Sequence, residues 1–198
     1  MRFRQTDTSL SVTNITGAST TTAISLDGAT FISAIGKIAV TTPIAATFTA
    51  AAETDILTAT AHGFQTGLVV RLTTTGGLPA GLATATDYFV IFLSANTYAL
   101  ASTRALALAG TRVDFTTNGT GTQTATPTAL SGATVQFFVS NDGITYVARD
   151  PQFSISGSAN MLLEYNLPGY KWCYLNCLTT SGMFNAVFDV IVKSNRNA

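Results

Sequence analysis

The chain has 198 residues, of which 46% are hydrophobic and only 10% charged, with ten Lys and Arg balancing ten Asp and Glu. Twelve Phe and six Tyr in so uncharged a sequence exclude a disordered chain, and the length allows one large domain or two small ones with cores of their own. The thinly spread basic residues exclude a phosphate-backbone site. Arg2 and Arg4 at one end and Lys193 and Arg196 at the other read as solvated termini.

In chain order, Leu10 and Val12 alternate as a strand before a break at 14–17. Ala23-Ile24-Ser25-Leu26 runs into the tight-turn pair Asp27-Gly28, and Phe31 resumes the strand. From about residue 44 to 128 the composition turns rich in Thr, Ala and Gly, with the single His and neither Cys nor Trp. Pro43 and Pro127 bracket this stretch. Within it, Thr103-Arg104-Ala105-Leu106-Ala107-Leu108-Ala109-Gly110 predicts one or two helical turns closed by the glycine. Beyond it, 135–139 is a strand leading through Ser140-Asn141-Asp142-Gly143 to a return strand at 144–147. Phe153 and Ile155, then Met161, Leu163, Tyr165 and Leu167, alternate up to Pro168-Gly169. Tyr170, Trp172 and Tyr174 share one face of the next strand, opposite Lys171, Cys173 and Leu175. Phe184, Ala186, Phe188, Val190 and Val192 make the last strand.

These short strands and turns predict an all-β protein: a β-sandwich host lobe of residues 1–42 and 129–198, with a small β-barrel lobe of residues 43–128 inserted in it. Cys173 and Cys177 lie about 13 Å apart if they share one strand, too far for a disulfide, and are expected to be buried thiols. The start, MRFRQTDTSL, lacks the apolar stretch of a secretory signal, and no apolar run approaches the ~18 residues of a membrane span. The expectation is a protein made in a cytoplasm, with neither membrane nor nucleic acid as partner.

The inserted stretch carries a recognisable layout. Ala61-His62-Gly63-Phe64 is followed by Thr66-Gly67, then Tyr88-Phe89-Val90-Ile91, then Ser94-Ala95-Asn96-Thr97-Tyr98-Ala99-Leu100. It resembles the small β-barrel module named after the first catalytic cysteine half-domain of ubiquitin-activating enzymes, copies of which resemble one another across tailed-phage tail and virion proteins. The resemblance implies a module of phage structural proteins. It carries over no thioester chemistry, because this stretch has no cysteine. The flanking V-Q-F-F-V-S-N-D-G-I-T-Y and P-G-Y-K-W-C-Y-L look similar to β-sandwich lobes of phage virion proteins and of carbohydrate-binding modules.

Candidate chemistry is sparse. His62 alone could serve a His-based triad, and no nucleophile is marked near it, so it reads as a turn residue. One His and a Cys pair do not make a metal site, and Asp142 reads as a hairpin turn rather than a calcium ligand. Glu53 and Glu164 suggest no catalytic pair. No catalytic, cofactor-binding or metal-binding residue is expected, and no cofactor. Tyr170, Trp172 and Tyr174 could stack on a sugar ring, though alternation on a central strand favours the core between two sheets. The expected function is non-enzymatic: a structural component of a tailed-phage virion, tail- or neck-associated as a tail accessory or fibre adaptor. It would work as a homo-oligomer and with other virion proteins. Capsid decoration and binding of a cell-surface glycan are the alternatives.

Overall fold

In the computed structural model of the chain, residues 3–26, 29–40, 43–166 and 170–195 are described. The chain parts into two compact units, one of Met1–Thr41 with Leu130–Ala198 and the other of Thr42–Ala129. The fold is all-β, as the strand and turn pattern predicts.

The first unit begins with β1 (Phe3–Ile15), β2 (Ser19–Thr20), β3 (Ile24–Ser25) and β4 (Ala29–Val40). The expected break at 14–17 comes later than its signal. Asn14 takes a φ of 52°, the register slips between Val12 and Ile15, and the strand continues to Ile15 through this bulge. The expected turn at Asp27-Gly28 lies outside the described residues.

The second unit holds β5 (Ala46–Ala51), β6 (Ile56–Thr58), β7 (Val69–Thr74), β8 (Tyr88–Ser94), β9 (Thr97–Ala101), α1 (Arg104–Ala109) and β10 (Gln123–Pro127). Its strands close into a barrel in the order β10-β5-β6-β9-β8-β7, every neighbour antiparallel. Closure removes the exposed edges that a small open sheet would present. The helix is as short as its sequence suggests: Thr103 Oγ1 accepts from the Leu106 N–H, and Gly110 ends it at a φ of 74°. The loops at 74–77 and 117–122 close over each other through Gly77 N–H to Thr120 Oγ1 and Thr120 N–H to Gly77 O. A Cβ on Gly76 would stand 2.6 Å from Thr120 O, so only glycine allows this approach.

The chain then returns to the first unit with β11 (Ala133–Ser140), β12 (Val147–Ile155), β13 (Ala159–Asn166), β14 (Trp172–Leu178) and β15 (Phe184–Asn195). One sheet runs β1-β15-β4-β13; the other runs β12-β11-β14-β2, with β3 also paired to β14. Their inner faces share one core, in which Leu10, Ile38, Phe184 and Phe188 from the first sheet meet Val135, Phe137, Cys173 and Leu175 from the second. This is the packing of a β-sandwich. The backbones of Arg4 and Lys193 belong to the paired strands β1 and β15; Arg2 and Arg196 lie outside the described residues. The return from β11 also starts later than expected. Val139 pairs with Val147, which leaves 141–146 as a loop, because Asp142 draws the Ile144 and Thr145 amides to itself.

No helix among the described residues is long and apolar enough to cross a membrane.

Candidate functional site

His62 follows Ala61, whose φ of 48° turns the chain sharply before Gly63, at 68°. The turn aims the imidazole inward, where it is 3% exposed. Its Nδ1 accepts from the Phe64 N–H at 3.0 Å, and its Nε2 donates to the Ser94 carbonyl at 3.0 Å. These roles fix the tautomer with the hydrogen on Nε2 and occupy both ring nitrogens. The ring also packs against Phe64 at 4.9 Å and Tyr98 at 5.0 Å between centroids.

Asn96, in the two-residue turn between β8 and β9, completes the knot. Its backbone carbonyl accepts from the Ala59 N–H and its Oδ1 from the Ala61 N–H, each at 2.9 Å. The two halves of the recognised layout, about thirty residues apart, therefore hold each other. Their unusual residue types are used to close the barrel.

Asp142 is equally committed. Its Oδ1 accepts from the Ile144 N–H at 2.8 Å, the Thr145 N–H at 2.7 Å and the Ser140 hydroxyl at 2.8 Å. Those backbone amides, Ile144 first, hold the carboxyl well below its ordinary range. Among the described residues no group of three or more His, Cys, Asp or Glu could hold a metal ion.

The aromatic strand differs from its expected packing. Cys173, Leu175 and Cys177 take the core face of β14 and are wholly buried, while Trp172 and Tyr174 turn outward. Tyr170 does not join them; it precedes the strand and packs against the sandwich core. The expectation of one three-ring core face is thereby corrected. The sulfur-bearing side chains are small enough to fit where the two sheets approach, and the large rings spread over the outer surface. Burial pushes both thiols up to about 12, and both are free.

Two rings that the sequence reading left out complete the outer strip. Phe138, directly opposite on β11, stacks on Tyr174 with centroids 5.2 Å apart and planes 5° from parallel. Tyr146 tilts against Tyr174 at 4.8 Å. Trp172 stays 37% exposed, with Gly143 lying on its indole where a Cβ would come within 3.2 Å of Nε1. The signal for Phe138 was its outward place in the alternation of β11; Tyr146 sits in a loop whose path no periodicity reveals.

No protein-family model, curated protein or solved structure matches this chain. Its functional reading therefore rests on its own residues. Three buried side-chain polar atoms among those described have no hydrogen-bond partner: Tyr98 Oη, Gln123 Oε1 and Arg149 Nε. A cavity of about 640 Å³ opens on the barrel unit, lined by residues 44–49, 58–62 and 121–123, none of them Asp, Glu, Lys or Arg.

Proposed function

We propose that this protein is a structural component of a tailed-phage virion, tail- or neck-associated as a tail accessory or fibre adaptor, and that it acts through protein–protein assembly. The observation that carries this reading is the barrel knot. The residues that bear the module resemblance, His62, Phe64, Ser94, Asn96 and Tyr98, bond and pack with one another inside one closed barrel. These contacts support reading the layout as one that serves the architecture, and copies of the module it resembles belong to virion proteins.

Two further features support assembly. The formal net charge is zero, so copies repel one another weakly. Ile44, Leu108, Ile144 and Leu162 also stand 61–85% exposed, apolar side chains available for contact with neighbours. Capsid decoration would draw on the same properties. Light scattering on the purified chain tests the reading: a mass that is a fixed multiple of 20.6 kDa supports it, and a monomer at every concentration counts against it.

A second reading, a glycan-binding surface, draws on the outward Trp172 and Tyr174, whose rings offer apolar area at low entropic cost. Trp172→Ala would then abolish retention on cell-surface polysaccharide and leave the melting transition in place. Unchanged retention, or none by the wild type, removes this reading.

A further inference from the structure

The outward side of β11 and β14 carries more than rings. Val135, Phe137 and Val139 of one strand and Cys173, Leu175 and Cys177 of the other fill the core, so the residues between them turn outward. In the register of the two strands Phe138 lies opposite Tyr174, and Gln136 lies opposite Asn176. The amide pair follows the ring pair two residues along each strand, a step of about 6–7 Å. Trp172 stands two residues to the other side of Tyr174. The ring pair and the amide pair are half-buried, and Trp172 is exposed.

The rings are set before any ligand arrives. Phe138 stacks on Tyr174, Tyr146 leans on the same ring at 57°, and Gly143 lies against the Trp172 indole. A surface held in this way loses little side-chain freedom on binding. Its polar part is uncharged. A primary amide both donates and accepts, as a hydroxyl does, so two of them side by side match a pair of sugar hydroxyls. Asp142 and Lys171 stand exposed at the Trp172 end, one of each sign, and leave no net charge there to draw an acidic or a basic polymer.

We propose that this face binds an uncharged polysaccharide, with the rings against the apolar faces of its sugars and the Gln136 and Asn176 amides on its hydroxyls. The proposal rests on the glycan-binding reading, and names the class of glycan and the residues that select it. An acidic sugar would bring its carboxylate against rings and amides, which hold no counter-charge to replace the lost water. An uncharged one exchanges its bonds to water for bonds to the amides and covers the rings with its C–H faces.

An array of bacterial surface polysaccharides, neutral and acidic, tests the class, and titration calorimetry with the neutral polysaccharide that binds best tests the residues. The wild type is expected to bind neutral members and no acidic ones. Trp172→Ala should abolish binding. Gln136→Ala and Asn176→Ala should each weaken it about tenfold, the worth of one or two hydrogen bonds. Gln136→Glu and Asn176→Asp keep the side-chain shape and should weaken it at least as much. All of these variants should keep the wild-type melting transition, because the side chains lie outside the core. A preference for acidic polysaccharides overturns the proposal. So does binding left unchanged by the amide variants; if Trp172→Ala still abolishes it, the glycan reading stands without the amides. No binding at all, or binding that survives Trp172→Ala, removes the reading and the proposal together.

Discussion

Replacing His62 by Phe separates a structural histidine from a chemical one. Phe keeps a ring between Phe64 and Tyr98 but can neither accept from the Phe64 N–H nor donate to the Ser94 carbonyl. The Phe64 N–H is buried, and leaving it unpaired costs about 1–3 kcal/mol. Ser94 is exposed, so water can replace the lost donor and its share is about 0–1 kcal/mol. The sum centres on about 2–3 kcal/mol. For a unit of roughly 90 residues that lowers its melting transition by about 10–20 °C. His62→Ala adds a cavity and should cost about 3–5 kcal/mol. Calorimetry reads the transition, and amide exchange reads Phe64 directly, which should lose its protection. A His62→Phe protein within about 0.5 kcal/mol of the wild type, with the Phe64 amide still protected, would refute the structural role.

Other expectations follow from single contacts. Gly36→Ala puts a Cβ 2.2 Å from Phe188 Cε1, where Phe188 is wholly buried. It should cost about 2–3 kcal/mol by urea titration, with a smaller penalty in a Phe188→Leu background. Tyr98→Phe removes a buried hydroxyl that has no partner, so it should be neutral or raise the melting temperature; a drop above 1 kcal/mol would mean the hydroxyl is bonded. Cys173 and Cys177 have thiols raised above their unfolded value of 9.0 to about 12. Their contribution is full below pH 9 and is lost as pH rises toward 12, because the unfolded chain ionises first. Cys173→Ala with Cys177→Ala should flatten the alkaline limb of the stability curve. In the wild type, a thiol reagent should react at the rate of unfolding.

Much of the architecture lies in local signals. The alternation of Phe184, Ala186, Phe188 and Val190 marks the core face of β15, and Thr103 with Gly110 marks both ends of α1. The composition change near Pro43 and Pro127 falls close to the bounds of the two compact units. Which face of β14 is inward was not legible. Both alternating sets are mostly apolar there, and only the approach of the second sheet decides that Cys173, Leu175 and Cys177 fill the gap. That β5 pairs with β10 through residues 46–48 and with β6 through residues 49–51 was not legible either, since it depends on where those two strands end. The His62 turn could be read as a turn. That Ser94 and Asn96 fasten it depends on a hairpin thirty residues later.

Imaging of labelled particles tests the proposed place of this chain in a virion. Antibody raised against the purified chain, applied to intact phage from the native source and viewed by electron microscopy, should mark the tail or neck at a fixed number of sites per particle. Label on the capsid shell would assign decoration instead. Particles that carry no label, beside free chain in the same lysate, would contradict the proposed virion role.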